Sequence, residues 1–317
     1  MGMALCGSGW CITYLEIVYS FFNESSGVVV LNKFFVVFKL SMLPMVSMAD
    51  QEKVAADTVL KLAVRRIGLE WSRTEVRHAG EYKESPVSAL KADNQTFVKG
   101  VFDTVLEYQK NRFQWDNGLF MEYGETKLKP WDEPETVSEN ADDILLSSNL
   151  SYACWEFSGF KFGPTVRGAY DTEFKSDEDT PQQNILRANA GISLFDNKVL
   201  KSLYLTGVYE YDFTYAGQQI SKIAAEVGWR MEYQVREGVK LSTNGYYREY
   251  LSYSGYEADD LERDLSAVLR LDTNLWGNLT MGPYMQYRRA RARGADLYGS
   301  NFIMGISFNY ITTFGLI

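Results

Sequence analysis

Residues 160–174, FKFGPTVRGAYDTEF, place apolar and charged side chains at alternate positions. Phe162, Val166 and Tyr170 fall on one face of an extended chain and Arg167 and Asp171 on the other, because successive side chains of a strand point to opposite sides. A strand of about fifteen residues is much longer than the usual five or six. Such a strand suits a sheet that meets lipid on one side and water on the other. The stretch therefore predicts a transmembrane antiparallel β-barrel.

The same pattern recurs to the end of the chain, with tight turns rich in Gly, Asn and Asp alternating with longer polar loops. This alternation is typical of an up-and-down outer-membrane barrel with short periplasmic turns and long extracellular loops. One loop, 216–218, is predicted to be a short exception. An even number of strands places both ends of the barrel in the periplasm. The predicted strands are 64–75, 94–109, 111–124, 143–157, 160–174, 184–195, 200–215, 219–235, 239–253, 261–275, 278–291 and 300–314.

The bulk composition narrows the functional classes. A net charge of −9 argues against nucleic acid as a partner. After residue 50 no uncharged apolar run approaches the roughly 18 residues of a membrane helix. Cys6, Cys11 and Cys154 form neither a disulfide framework nor a metal-ligand pattern, so no metal or other cofactor is predicted.

The first fifty residues read as a targeting segment. Residues 31–49, LNKFFVVFKLSMLPMVSMA, combine a lysine, an apolar stretch and small residues before Asp50, which predicts a secretory signal peptide. Residues 1–30 are interpreted as an over-extended N-terminus; the alternative is a membrane anchor within 10–48. Residues 50–63 are predicted to be a periplasmic tail, with an amphipathic helix over 52–66, and 64–317 to form the barrel.

An early hairpin carries a family resemblance. Trp115-Asp116-Asn117-Gly118-Leu119, running to Tyr123-Gly124 after a YQKN turn, resembles an uncharacterised family of bacterial outer-membrane β-barrels with a W-D-N-x-L…Y-G signature. The likeness covers roughly residues 64–175 and implies fold and location, but no known activity. The last strand also looks like the signal read by the barrel-assembly machinery, an expected partner during biogenesis, although Phe314 is not the final residue.

The charged face of the strands is predicted to line the lumen. Three hypotheses follow: a narrow, porin-like channel for small solutes, which we favour, a non-conducting structural or surface-binding barrel, and an outer-membrane hydrolase. Catalysis is disfavoured because His78, the single histidine, falls in a loop, although carboxylates alone leave a hydrolase possible. The lumen candidates are Lys161, Arg167, Asp171, Glu173, Arg187, Glu226, Arg230, Glu232, Asp264, Arg270 and Asp272.

A basic run, RRARAR at 288–293, ends one predicted strand on the extracellular side. Arginine forks match phosphate well, so Arg289, Arg291 and Arg293 are candidates for contact with lipopolysaccharide. The alternative is a solvated, charged loop. Outer-membrane lipid and lipopolysaccharide are therefore the expected partners, and the oligomeric state is left open.

Overall fold

Nearly all of the described chain is β-strand. The computed structural model describes residues 58–82, 85, 87–91, 96–128, 136–157, 159–175, 181–255 and 260–317. Among these residues, no helix is long and apolar enough to cross a membrane. The strands are β1 (Thr58–Arg77), β2 (Thr96–Lys110), β3 (Phe113–Leu128), β4 (Thr136–Tyr152), β5 (Trp155–Phe157), β6 (Phe160–Thr172), β7 (Asn184–Phe195), β8 (Leu200–Asp212), β9 (Ile220–Arg236), β10 (Val239–Tyr253), β11 (Leu261–Trp276), β12 (Leu279–Ala292) and β13 (Gly299–Gly315).

The sheet closes on itself. Consecutive strands pair antiparallel except β4 and β5, β1 pairs with β13, and β4 pairs with β6. The three-residue β5 continues β4 after an interruption at Ala153 and Cys154 and also pairs with β6. Twelve strands therefore complete the ring, which confirms the predicted twelve-stranded antiparallel β-barrel.

The barrel begins earlier than predicted. Thr58 pairs with Lys110 of β2, and Lys61 pairs with Gly315 of β13. Residues 58–63 pair with β2 throughout, and 61–63 also pair with β13, so these residues belong to the barrel and not to the tail. The helix predicted over 52–66 is wrong for its described part, 58–66. The over-extended start, the signal peptide and residues 50–57 lie outside the described residues.

Short and long connections are sorted to opposite ends of the barrel. The five short ones span two to four residues, and each contains a residue with positive φ, which tight hairpin turns favour: Asn111, Gly159, Asp196, Gly238 and Gly277. We call this the turn end and the opposite one the loop end. The connection between β8 and β9 spans 213–219, so the short exception predicted at 216–218 is wrong. Short and long connections are therefore separated between the two ends without the exception that the sequence predicted.

The outer surface is apolar between the two ends. Leu69, Leu205, Ile223 and Leu251 are among its exposed side chains, whereas residues of opposite parity are buried inside. Water would oppose so large an exposed apolar band, and a bilayer favours it. Exposed aromatic side chains, including Trp71 and Trp276, lie toward both ends, as interfacial girdles do. The fold is a transmembrane β-barrel.

Candidate functional site

The barrel interior carries many charged side chains, and several of them have lost almost all contact with solvent. Glu70, Lys99, Glu210 and Asp264 are each 1% exposed, although all four belong to strands whose opposite face meets lipid. An isolated buried charge is destabilising by several kcal/mol, so such groups persist only in well-paired networks. The pairing partners therefore define the interior.

One network, the Glu70 cluster, joins β1, β2, β3 and β11. Glu70 accepts hydrogen bonds from Arg66 Nη1 at 2.7 Å and from Arg270 Nη1 at 2.6 Å. Lys99 Nζ lies 3.4 Å from Glu70 and 2.7 Å from Glu122. Three cations thus surround the Glu70 carboxylate. The carboxylate of Glu122, on β3, offsets part of their positive charge. Hydrogen bonds from Arg270 to Ser307 and Asn309, and from Lys99 to Gln286, complete the cluster.

A β-bulge in β1 turns two consecutive arginines inward. The register of β1 shifts after Val64 against both neighbouring strands. The additional residue lets Arg65 reach Glu107 at 3.2 Å while Arg66 reaches Glu70. Without the bulge, strict alternation would direct one of these guanidinium groups into lipid. Lys61 also pairs with Glu107, at 2.8 Å.

A second network, the Glu210 cluster, lies on β7 to β10. Glu210 is 2.7 Å from Arg187 Nε, 3.4 Å from Lys222 Nζ and 3.5 Å from Arg248 Nη1. Arg248 also pairs with Glu226 at 2.5 Å, and it therefore bridges two buried carboxylates. Every member lies on an inward-facing position of a continuous ladder, because Arg187 is opposite Glu210, which is opposite Lys222.

A third contact links β10, β11 and β12. Arg288 donates two hydrogen bonds to Asp264, at 3.1 and 2.9 Å, and Tyr246 donates one at 2.8 Å. The two-pronged geometry is the strong form of an arginine–carboxylate pair. These three networks together span much of the ring.

The structure places the lumen residues predicted from sequence in four different settings. The two clusters and the Arg288 pair take up several of them, with Asp171 contacting Arg187 and Asp272 accepting from Asn309. Lys161 pairs with Asp196 at the turn end, and Arg230 pairs with Glu232 nearby.

Arg167 is opposite Asn149 and Asn189 on the inward side. Glu173 lies beyond β6 and accepts a hydrogen bond from the Gln183 backbone N–H at 2.9 Å. The residues absorbed by the networks are Asp171, Arg187, Glu226, Asp264, Arg270 and Asp272.

Sequence reasoning missed Glu70, Lys99 and Glu210, which lie at the centres of the two clusters, whereas Asp264 was among the predicted lumen residues. Glu70 belongs to a readable alternation, since Gly68, Ser72 and Thr74 share its face. Lys99 is harder to recognise as an inward-facing residue, because its neighbours on the same face, Phe97 and Val101, are as apolar as residues that face lipid. The signal that could have found it is that the charged residues Lys99, Asp103 and Glu107 all share one face of β2, whereas the opposite face carries no charge from Val98 to Tyr108.

A loop that was predicted to be polar and external covers the mouth of the barrel at the loop end. It contains a 3₁₀ helix (Ala79–Tyr82) and a one-turn helix, α1 (Ser88–Lys91). Tyr82 and Leu90 are buried in one apolar cluster with inward residues of the barrel, including Val208 and Ala224. The Tyr82 hydroxyl is 2.9 Å from Leu297 O, and it accepts from Ala292 N at 3.3 Å. We call residues 78–91 the mouth loop.

Substituting Gly299 with valine is expected to release the mouth loop. A Cβ at Gly299 would lie 2.8 Å from the Tyr82 ring, so a valine displaces Tyr82 from its site. We expect overpacking to destabilise the protein by about 1–3 kcal/mol, and protease cleavage within 78–91 to accelerate at least severalfold. Gly315→Val in the same strand is the matched control, because a Cβ there meets open space. Equal cleavage rates for the two variants would show that the loop is not held at Gly299.

The chemistry available in the described interior is mainly charge neutralisation. No group of three or more histidine, cysteine or acidic side chains suited to a metal ion occurs among the described residues. His78 is exposed in the mouth loop, where its Nδ1 is 2.8 Å from the Tyr298 carbonyl oxygen. Its backbone has positive φ, so His78 fixes a turn at the end of β1.

Comparisons with known proteins add a family match and a general likeness of fold. Residues 90–177 match the family model described as "Protein of unknown function (DUF3078)". No curated protein matches the chain. Among solved structures, the chain is similar to an active-site mutant of outer membrane phospholipase A from Escherichia coli, with 14% identity, 82% of this chain and 95% of that chain covered, and a TM-score of 0.43.

Two channels are similar to about the same degree. The COG4313 outer membrane channel from Pseudomonas putida F1 shows 13% identity, coverage of 83% and 98%, and a TM-score of 0.40. The outer membrane channel DcaP of Acinetobacter baumannii shows 9% identity, coverage of 82% and 99%, and a TM-score of 0.41. Enzymes and channels thus occur together among barrels at this level of similarity, and the likeness selects no activity.

Proposed function

We propose that the protein is a bacterial outer-membrane barrel whose lumen is closed by its own side chains, and that it serves as a non-conducting structural or surface-binding scaffold. The observation that carries the proposal is the near-complete burial of Glu70, Lys99, Glu210 and Asp264 at inward-facing positions. A water-filled pore would leave these groups solvated. The sequence favoured a narrow channel, and the filled interior favours the closed alternative.

The outer-membrane location is supported by the way the chain is organised. β1 begins and β13 ends at the turn end, and every connection at the loop end is longer than those at the turn end. This arrangement is typical of outer-membrane barrels with periplasmic turns. Twelve strands also enclose a narrow interior, which side chains fill more readily than in barrels of sixteen or more strands.

A gated narrow channel is the second candidate. This candidate is favoured by the nature of the groups that obstruct the lumen, which are ion pairs and the mouth loop. Once the mouth loop leaves, water can hydrate the ion pairs along the lumen. At the turn end a cavity of about 250 Å³, lined by Lys240, Asp272, Asn274 and Thr280 among others, already opens from the interior. No observation favours a hydrolase, and we propose no catalytic role.

Single-channel recording in planar bilayers tests the two candidates. We expect no conductance steps from the folded wild-type barrel, nor from a variant in which residues 79–91 are replaced by a short Gly-Ser linker, because the buried networks still fill the lumen. Steps from the linker variant alone would support the gated channel. Steps from the wild-type protein would overturn the closed barrel. A shift in gel mobility on boiling verifies that each protein is folded.

A further inference from the structure

Three arginines gather around one tyrosine at the loop end. Arg263 Nη1 donates a hydrogen bond to the Tyr298 hydroxyl at 3.1 Å. The guanidinium of Arg289 lies 4.2 Å from the centre of the Tyr298 ring, and that of Arg291 lies 5.4 Å from it. We call Arg263, Arg289, Arg291 and Tyr298 the Tyr298 arginine cluster. Stacking on an aromatic ring orients a guanidinium while leaving N–H groups free to bind.

The cluster lies on the membrane-facing side of the barrel. Ala290 and Ala292 are buried inside, so the alternate residues Arg289 and Arg291 point outward. Met285, also on this outward face, is 45% exposed and belongs to the lipid band. Arg289 follows it by four residues, roughly 13 Å along the strand. The arginines therefore begin where the lipid band ends, at the depth of the headgroups.

The cluster carries more positive charge than its neighbours neutralise. Arg263 pairs with Glu249 at 3.0 Å and lies 3.7 Å from Glu262. Arg291 has only the longer contact to Glu262, at 3.8 Å, and Arg289 has no carboxylate within 4 Å among the described residues. The hydrogen bond from Arg263 also holds the pKa of Tyr298 below its ordinary value.

Two features hold the cluster in place, and Arg293 contributes to neither of them. His78 contacts the Tyr298 carbonyl oxygen from the mouth loop, and β11 and β12 fix the arginines in one sheet because Arg263 is opposite Arg291. Arg293 instead lies over the ring of Tyr253, 4.9 Å from its centre, and does not join the cluster. The basic run thus contributes two of its predicted residues, and Arg263 replaces the third.

We propose that the Tyr298 arginine cluster binds the phosphate groups of lipopolysaccharide in the outer leaflet. The inference rests on the proposed outer-membrane location. Three outward guanidinium groups on one sheet, one of them without a carboxylate partner in the described chain, match the two-pronged recognition of phosphate. A free phosphate ion offers the same chemistry, but the position beside the lipid band favours a phosphate that is anchored in the membrane.

Binding of lipid A to purified protein in detergent tests the proposal. We expect Arg289→Ala/Arg291→Ala to bind phosphorylated lipid A at least tenfold more weakly than the wild type, and both to bind dephosphorylated lipid A equally weakly. Inorganic phosphate and phosphatidylglycerol micelles, tested in the same assay, show whether a free phosphate ion or another anionic lipid binds at the cluster. The matched control is Arg112→Ala/Arg236→Ala, which removes two exposed arginines of the turn end.

Three results would overturn the proposal: unchanged affinity in the cluster variant, equal loss in the turn-end control, or equally tight binding of the dephosphorylated lipid by the wild type. If the alanine variant does not fold, Arg289→Lys/Arg291→Lys takes its place, and it should lose affinity because lysine lacks the planar fork. Conductance does not enter this assay, so a channel would leave its outcome unchanged. Absence of the protein from outer-membrane fractions would refute the location separately.

Discussion

Replacing Glu70 with alanine is expected to lower the free energy of unfolding by about 3–5 kcal/mol, the usual loss when one partner of a buried charge network is removed. Arg66, Arg270 and Lys99 converge on this carboxylate, and without it three cations face one another in a site with almost no water. Urea unfolding of protein inserted in lipid vesicles, followed by tryptophan fluorescence, measures the change.

Two variants control for the charge and for the position of Glu70. Glu70→Gln keeps the volume and one hydrogen-bond acceptor, so its loss should be smaller than that of the alanine variant. Glu75→Ala removes an exposed carboxylate from the same strand, paired with Arg77 at 2.9 Å, and should change stability by at most about 1 kcal/mol. Similar losses for Glu70→Ala and Glu75→Ala would contradict the burial of the network.

Replacing Leu205 with arginine is expected to destabilise the folded barrel by about 2–4 kcal/mol, the cost of placing an arginine on the lipid face near the bilayer midplane. Leu205 is 56% exposed on the outward side of β8, opposite Ile192 and Val227. The same unfolding titration in vesicles, together with the yield of heat-modifiable protein, reports the effect.

Leu316→Arg provides the matched control for the lipid face. Leu316 is nearly as exposed as Leu205, but it lies beyond the end of β13 at the turn end. Near the aqueous interface the same substitution should cost about 0–1 kcal/mol. If both leucine variants lost the same stability, the apolar band would not be a membrane surface.

The strands were predictable because contact with lipid requires apolar side chains on one face of each strand. Alternation over 160–174 locates β6 to within two residues, and all twelve strands of the ring overlap their predicted segments. The start of β1 was not predictable from its local pattern. The β-bulge after Val64 breaks the two-residue period, and the broken period resembles that of an amphipathic helix.

The interior was only partly predictable, because its contacts join distant parts of the chain. Glu70 and Arg270 are 200 residues apart, and Tyr82 is 210 residues from the backbone N–H that it binds. Sequence alternation shows that Arg270 faces inward, but not which carboxylate it meets. Similarly, the polar composition of the mouth loop hides that Tyr82 and Leu90 fold back into the barrel.

Chemical labelling of the lumen tests the closed interior most directly. Thr206 faces inward on β8 and is buried, whereas Gln219 is exposed in the loop that follows. In a protein whose native cysteines are replaced by serine, we expect Thr206→Cys to resist a charged, membrane-impermeant thiol reagent from either side, while Gln219→Cys reacts rapidly. Reaction of Thr206→Cys at a rate comparable with Gln219→Cys would show that water fills the lumen, and the closed barrel would be wrong.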